Sequence, residues 1–209
     1  MASKRKTKTS RSRSRRGLVK RETSETSISV GVGLDGPPSY SVDTGIPFFD
    51  HMLETLGRHS FMSLKVKAHG DTEIDDHHTV EDVGIAMGQA IDKALGDRKG
   101  IVRFGHAEVP LDEALVAVTV DLSGRPFLVY NLKVRHHRVG NFEIELVNDF
   151  MQALMNGAGM NLHINKRYGR NPHHIVEAAF KALARALAMA VAVDPRVKGV
   201  PSTKGTLKG

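Results

Sequence analysis

The chain has 209 residues, of which 40% are hydrophobic and 25% are charged, an ordinary composition for one globular unit that buries a full core. The absence of cysteine excludes disulfides, thiolate metal sites and cysteine nucleophiles, which leaves imidazole and carboxylate as the strong side-chain metal ligands. The formal net charge is +7, but residues 1–21 hold ten of the 30 Lys and Arg residues and none of the 23 acidic ones, so the rest of the chain carries −3. This distribution argues against nucleic-acid binding by the folded part.

Residues 1–21 are rich in Lys, Arg, Ser and Thr and almost free of apolar side chains, so they are predicted to form a disordered basic tail before a folded domain of residues 22–209. A solubilising extension with nonspecific polyanion contacts is favoured for this tail over an organelle transit peptide. No apolar run reaches the roughly 20 residues of a membrane helix. A soluble, cytoplasmic protein without membrane association is therefore expected.

The apolar patterns predict elements that repeat in two halves, residues 22–109 and 110–205. In the first half they predict a strand at 26–34, a short helix from Ile46 through Leu56, a strand at 62–68 and a helix from His77 to about Leu95. In the second half they predict strands at 114–122 and 127–134, a helix at about 142–155, a strand at 161–165 and a helix from His173 to about Val191. Asn171 and Pro172 supply a cap and a first-turn proline for this last helix.

The sequence His77-His78-Thr79-Val80-Glu81 returns ninety-six positions later as His173-His174-Ile175-Val176-Glu177, and each copy opens one of the long helices. We call these two segments the cassettes. Residues four apart share a helix face, whereas adjacent residues point about 100° apart. The first His and the Glu of a cassette can therefore hold one metal ion, while the second His faces another metal, helix or chain. Because the pattern is duplicated at two helix starts, metal binding is favoured over a pair of solvated surface histidines.

Half-to-half symmetry adds one further ligand to each predicted site. His51 and Asp149 lie on corresponding helices of the two halves. One predicted site contains His77, Glu81, Asp149 and His174, and the other contains His51, His78, His173 and Glu177. Such donors suit Mn, Fe, Co or Zn, and six-coordination favours Mn. Since two helix N-termini rarely converge within one small chain, neighbouring subunits are expected to contribute ligands.

Several basic and hydroxyl side chains are candidates for binding a phosphate, although each alone is more often a solvated surface group. They are Arg103, Arg125, Lys181, Ser202, Thr203 and Lys204.

Five motifs carry a resemblance to a known family. They are Gly45–Leu53, Asp75–Asp82, Asp121–Pro126, His173–Glu177 and Pro195–Lys204. With these motifs the chain, from about Arg21 onward, closely resembles the imidazoleglycerol-phosphate dehydratases of histidine biosynthesis. The resemblance implies an α+β fold of two duplicated half-domains, each a four-stranded sheet with helices on one face, like domain 2 of ribosomal protein S5. It also implies trimers within a 24-subunit shell, and two Mn²⁺ ions per subunit at subunit contacts.

The reaction implied by the resemblance is loss of water from imidazole glycerol phosphate to give imidazole acetol phosphate. The proton that leaves is not beside a carbonyl, so the imidazole ring supplies the driving electrons, favoured by metal coordination. The resemblance makes Glu25 the proton carrier and Asp112 a second active-site carboxylate. It implies substrate contacts from Glu25, His51, His59, His77, Glu81, Arg103, Arg125, His173, Lys181, Ser202, Thr203 and Lys204. Many relatives have His where this chain has Asp149, which predicts an altered metal site there.

Two alternative functions differ in class from this expectation. A dinuclear metallohydrolase also uses paired His and Glu ligands, but it would release inorganic phosphate from a phosphorylated substrate. A nucleic-acid-binding protein would use the basic tail as its functional part and its metals as structural ions.

Overall fold

The computed structural model describes residues 14–207. Their elements, in chain order, are β1 (Arg16–Glu22), β2 (Thr26–Gly33), β3 (Tyr40–Asp43), α1 (Pro47–Ser60), β4 (Ser63–Gly70), α2 (His77–Leu95), β5 (Phe104–Leu111), β6 (Ala114–Asp121), β7 (Phe127–Asn131), β8 (Arg138–Val139), β9 (Phe142–Glu143), α3 (Leu146–Ala158), β10 (Asn161–Tyr168) and α4 (Pro172–Val191). Within this range no helix combines the length and the apolar character needed to cross a membrane.

Two four-stranded sheets repeat one topology. The first sheet has the order β1-β2-β4-β3 and the second the order β5-β6-β10-β7. In each sheet the last pair in this order is parallel and the other two pairs are antiparallel. The short β8-β9 hairpin is inserted before α3. The predicted α+β fold with duplicated halves is therefore confirmed.

Helices cover one face of each sheet, and the two helical layers pack against each other. The helix α2 lies on β1, β2 and β4, and α4 lies on β5 and β6. Between the halves, α1 packs on α4 and α2 packs on α3. Three phenylalanines mark this central contact, since Phe150 lies 5.3 Å from Phe49 and 5.6 Å from Phe180 by ring centroids. Each buried Phe contributes about 1.5–3 kcal/mol relative to an exposed one.

Glycines let the backbones approach closely at equivalent places in the two halves. A Cβ added to Gly17 in β1 would lie 1.9 Å from the carbonyl oxygen of Ala90 in α2. A Cβ added to Gly105 in β5 would lie at the same distance from the carbonyl oxygen of Ala186 in α4. Each edge strand therefore sits directly against the second helix of its own half.

The structure corrects two predicted boundaries. The basic tail was expected to be disordered through residue 21, but Arg16–Glu22 form β1, with Gly17 and Val19 buried under α2 and the charged side chains mostly on the other face. Residues 1–13 lie outside the described residues. The expected division of the halves between residues 109 and 110 falls inside β5, which pairs with β6, so the halves divide between α2 and β5.

The element predictions in the middle of the second half also need adjustment. The helix expected at about 142–155 begins at Leu146, because Phe142 and Glu143 pair with β8 instead. The strand expected at 127–134 ends at Asn131.

The starts of the two cassette helices agree with the predicted positions and are fixed by polar side chains. Asn171 accepts a hydrogen bond from the His173 amide at 2.9 Å, with Pro172 in the first turn of α4. Asp75 accepts from the His77 amide at 2.7 Å before α2. Each cassette is therefore held at a defined helix end.

Candidate metal centre

The second cassette brings three potential metal ligands together. His173 and Glu177 share a face of α4, and their Nε2 and Oε2 atoms are 3.0 Å apart. His51 of α1 places its Nε2 3.3 Å from the same oxygen. One ligand atom from each of these residues lies within 4.8 Å of the other two. We call this group the α4 cluster, and among the described residues it is the only group of three that meets this distance.

The carboxylate of the α4 cluster is held ionised by its neighbours. Its other oxygen is 2.7 Å from Nζ of Lys181, one turn further along α4. Burial acts to raise the pKa of Glu177, but hydrogen bonds from Lys181, His173 and His51 outweigh it, so the pKa lies below its ordinary value. A half-buried, ionised carboxylate beside two imidazoles is a suitable donor set for a divalent transition metal.

In the other half, the first cassette brings one histidine close to a carboxylate. Nδ1 of His77 lies 3.4 Å from Oδ2 of Asp149, which α3 carries. Glu81 follows on α2 at the spacing that shares a face with His77, and its side chain is exposed. We call these three residues the α2 cluster. Its members are more open to solvent than Glu177, since the side chains of His77 and Asp149 are 44% and 33% exposed.

The second histidine of each cassette points away from both clusters and faces carboxylates. His78 Nδ1 lies 3.2 and 3.1 Å from the two oxygens of Asp71, and 3.8 Å from Glu25. The hydrogen bond to Asp71 is the main cause of a raised pKa at His78. His174 Nδ1 lies 2.7 Å from Glu113, and its Nε2 lies 3.8 Å from Asp112. Within one chain, neither predicted four-ligand set is assembled, because each lacks its second histidine.

The predicted carboxylates Glu25 and Asp112 occupy equivalent hairpin turns, β1-β2 and β5-β6. Both are exposed. The turn of Glu25 is held to α2 because Asp82 accepts hydrogen bonds from Thr26 at 2.5 Å and from Arg21 at 2.6 Å. Glu25 is therefore an exposed carboxylate on a fixed turn, with His78 as its neighbour at 3.8 Å.

A cavity of about 1120 Å³ joins parts of the two clusters. Its lining includes His51 on one side and His77 and Asp149 on the other, with the β8-β9 hairpin along its rim. The cavity is open to solvent, so the donor atoms of His51, His77 and Asp149 can be reached from outside.

The candidate phosphate ligands separate into two places. Lys181 bonds to Glu177, and the charge of Lys181 adds to burial in lowering the pKa of nearby His59. Arg103 instead pairs with Asp121 at 2.7 Å and donates to the Pro201 carbonyl at 2.9 Å, next to Ser202, Thr203 and Lys204. Arg125 is exposed on the turn that follows Asp121.

Helix geometry gives the distance between these two places. The Arg103 amide bonds to the Ala190 carbonyl at 2.9 Å, near the end of α4. Ala190 is 13 residues after Glu177, which corresponds to about 20 Å along the helix. Within one chain, the backbone of Arg103 and the α4 cluster therefore lie near opposite ends of α4.

The fold and the site define a class of protein: a duplicated α+β protein with paired histidine–carboxylate clusters suited to divalent transition metals. The sequence profile of the imidazoleglycerol-phosphate dehydratases matches residues 44–187. The chain belongs to the imidazoleglycerol-phosphate dehydratase family. The membership expected from the motifs is confirmed.

Individual relatives agree over nearly the whole chain. A protein of Moorella thermoacetica named imidazoleglycerol-phosphate dehydratase is 53% identical over 194 residues, covering 93% of this chain and 99% of the relative. One of the same name from Prochlorococcus marinus is 56% identical over 198 residues, covering 94% and 98%. The crystal structure of the Staphylococcus aureus dehydratase has a TM-score of 0.78 at 37% identity, covering 86% of this chain and 99% of that one. The Pyrococcus furiosus structure, in complex with (S)-C348, has the same score at 34% identity, covering 90% and 99%.

Two residues in direct contact with the cassettes were not predicted from the sequence. They are Asp71 and Glu113, the hydrogen-bond partners of His78 and His174. Both lie in connections outside the helices and strands, so no periodic pattern distinguishes them. The doubled histidine of each cassette was the available signal, because a second imidazole turned away from the cluster needs a partner of its own.

Proposed function

We propose that the chain catalyses the loss of water from D-erythro-1-(imidazol-4-yl)glycerol 3-phosphate, giving 3-(imidazol-4-yl)-2-oxopropyl phosphate, as a hydro-lyase of histidine biosynthesis. The observation that carries this proposal is the α4 cluster together with its counterpart on α2, in a chain more than half identical to proteins named for that reaction. Paired imidazole and carboxylate donors beside an open cavity match a substrate that is itself an imidazole.

We propose two divalent metal ions per subunit, with Mn²⁺ as the ion. His51, His173 and Glu177 would hold one ion, and His77, Glu81 and Asp149 the other, with His78 and His174 completing sites across subunit contacts. A bound metal would supply a Lewis acid that favours loss of the ring N–H proton, so that the electron-rich ring can expel the hydroxyl beside it. The oxygen donor Asp149 suits a hard ion such as Mn²⁺ better than a soft one.

The residues of the chain supply the acid-base chemistry. Glu25, exposed on its fixed turn, accepts the proton from the carbon next to the one that bears the imidazole. The C–O bond beside the ring breaks, and the hydroxyl leaves as water after gaining a proton. The resulting enol rearranges to the ketone, so one H and one OH leave in total. Asp112, at the equivalent turn of the second half, is the second active-site carboxylate.

A homo-oligomer is needed to complete the active site. We propose that the phosphate ligands Arg103, Arg125, Ser202, Thr203 and Lys204 serve a cluster of another subunit, because about 20 Å of helix separates the Arg103 backbone from the α4 cluster of the same chain, more than a three-carbon phosphate spans. Lys181 and His59 remain with the cluster of their own chain. We propose that trimers form the 24-subunit shell implied by the family resemblance, and that the enzyme works in the cytoplasm.

The assay that tests this proposal separates two products. Purified protein with Mn²⁺ is expected to yield an enolisable ketone that retains its phosphate, and chelation of the metal is expected to abolish turnover. Elemental analysis and solution mass then give the metals per subunit and the number of subunits. Inorganic phosphate as the sole product would refute the dehydratase and favour the metallohydrolase.

Substitution of cassette histidines tests the ligand assignment. His77→Ala and His174→Ala should each remove one metal site and abolish turnover. The control is His106→Ala, whose exposed ring bonds to Thr119 on β6 and touches neither cluster. Full activity in either cassette variant would contradict the assignment.

Removal of the basic tail tests the nucleic-acid alternative. Because β1 begins at Arg16, the deletion should end at residue 13. We expect unchanged dehydratase activity and assembly. Loss of both would show that the tail is part of the working enzyme.

A further inference from the structure

Each second histidine of a cassette is backed by a carboxylate on its Nδ1 side. Asp71 lies in the loop before α2 and contacts His78, while Glu113 lies in the β5-β6 turn and contacts His174. These carboxylates come from non-equivalent loops of the two halves, so duplication alone does not explain them. In both cases Nε2 is the ring nitrogen that Asp71 or Glu113 does not contact, and in His174 it lies 3.8 Å from the exposed carboxylate of Asp112.

Both carboxylate oxygens of Glu113 accept hydrogen bonds. Oε1 accepts hydrogen bonds from the backbone amides of Arg170 at 3.0 Å and Asn171 at 2.7 Å, directly before α4. Oε2 is 2.7 Å from His174 Nδ1. The carboxylate therefore cannot rotate without losing two backbone hydrogen bonds, and it fixes Nδ1 of His174 as the protonated nitrogen.

Asp71 makes a looser contact with its histidine. Its two oxygens share His78 Nδ1 at 3.2 and 3.1 Å, and among the residues that the structure describes its side chain has no other hydrogen-bond partner. Either oxygen can turn toward the ring. Glu113 thus restricts the orientation of His174 more tightly than Asp71 restricts that of His78.

We propose that Asp71 and Glu113 are positioning residues that present Nε2 of His78 and His174 to metal ions, and that Glu113 is the more stringent of the two. The inference rests on the proposed metal sites. Metal-binding histidines commonly donate their other N–H to a carboxylate, which fixes the tautomer and raises the basicity of the ligand nitrogen. Asp71 acts through His78 on the site of the α4 cluster, and Glu113 acts through His174 on the site of the α2 cluster.

The difference in stringency gives the amide variants different effects. In Glu113→Gln the amide oxygen keeps the two backbone hydrogen bonds, so the NH₂ group faces Nδ1 of His174. A donor at that position forces the proton onto Nε2, the nitrogen that must be free to bind the metal. In Asp71→Asn the amide can rotate and still offer its oxygen to His78.

The experiment is a Mn²⁺ titration of metal-free full-length protein, with free Mn²⁺ measured by electron paramagnetic resonance. Glu113→Gln should weaken one of two sites by about 10–100-fold, and Asp71→Asn should weaken the other by less than about tenfold. The control is Asp97→Asn, which removes a carboxylate whose partner is the exposed Lys99, away from both cassettes. In a His174→Ala background, Glu113→Gln should cause no further loss of affinity.

Two outcomes would overturn the inference. One is a Glu113→Gln protein with both affinities unchanged, even if its thermal stability is lower, because that result assigns the residue a structural role alone. The other is an equal loss in Glu113→Gln and Asp71→Asn. If Glu113→Gln does not fold, Asp71→Ala carries the test, since unchanged Mn²⁺ affinity there also overturns the inference. A wild-type chain that binds no Mn²⁺ would instead refute the proposed function.

Discussion

The close approach of strand and helix in each half predicts a large cost for a single methyl group. In Gly105→Ala the new Cβ would lie 1.9 Å from the backbone oxygen of Ala186, whereas ordinary contacts begin at 3.4 Å. The helix α4 and the strand β5 would therefore have to separate by about 1.5 Å. Because the obstacle is helix backbone and not a flexible side chain, we expect the upper part of the overpacking range, about 3 kcal/mol.

The expected change can be measured as a melting temperature. For a chain of this size, about 3 kcal/mol corresponds to a decrease of roughly 6–12 °C. Subunit and Mn²⁺ concentrations must be held constant, because assembly and metal binding both shift the transition. Gly17→Ala, which meets Ala90 at the same distance, should give a similar decrease.

The chain also supplies a matched control for this experiment. Gly31 lies in β2, and a Cβ added there has its nearest neighbours at 3.8 and 3.9 Å. Gly31→Ala should change stability by less than about 0.5 kcal/mol, or stabilise slightly through the unfolded chain. If Gly105→Ala and Gly31→Ala melt within about 1 °C of each other, the close approach does not limit stability and the reasoning is wrong.

Two further predictions concern ion pairs. Arg98 is 2% exposed, bonds to Asp92 at 2.6 Å and donates to three backbone carbonyls of the second half. Arg98→Met should therefore lower the free energy of unfolding, measured with a denaturant, by about 3 kcal/mol. Lys99→Met, which breaks a solvent-exposed ion pair, should leave the denaturation midpoint essentially unchanged, and equal effects of the two substitutions would contradict the assignment. The hydrogen bond from Arg15 lowers the pKa of Asp35 below its ordinary value of 3.8. The ionised Asp35 therefore adds stability at pH values above 3.8, and this stability is lost as the pH falls through the lowered pKa of the folded protein. The difference in melting temperature between wild type and Asp35→Asn should therefore be small and constant near neutral pH, and should close below about pH 4, whereas a difference that grows on acidification would refute this sign.

The cassette helices could be predicted from the sequence because their signals are local. The predicted first residue of α2 is His77, as observed, and the Asn171-Pro172 start of α4 is likewise present. Each helix has apolar residues at helical spacing along one face. Two of these residues, Val80 and Phe180, are at most 1% exposed. Capping and periodicity both act within about one turn, so a single sequence contains them.

The edge strands could not be predicted in the same way. The strand β1 buries one apolar side chain, Val19, while Leu18 is 60% exposed and the remaining outward positions are basic or acidic. Such charges protect an edge strand from pairing with other chains, but in the sequence they resemble a disordered tail. The strand β5 has the same problem, with Pro110 near its end and Phe104 exposed. Both segments form strands because they pack against α2 or α4, and no local sequence pattern indicates that packing.

The candidate site likewise combines residues that local spacing predicts with residues that it does not predict. The grouping of His173 with Glu177 follows from helical spacing, and it is observed. His51 is 126 residues from Glu177, and only half-to-half symmetry placed it there. Glu113, 61 residues before His174, had no symmetry partner in sequence and was missed.

The geometry of the cassettes explains why neither predicted four-ligand set is assembled within one chain. The rings of His77 and His78 are 6.0 Å apart at 78°, and those of His173 and His174 are 6.2 Å apart at the same angle. This agreement in both halves shows that the helix backbone sets the divergence, since the carboxylate partners differ. In each chain, each cluster therefore lacks one histidine of its predicted four-ligand set. The two missing histidines, His78 and His174, lie outside both clusters. If neighbouring subunits supply the missing ligands, metal binding and assembly become one linked equilibrium, and each must strengthen the other by the same free energy.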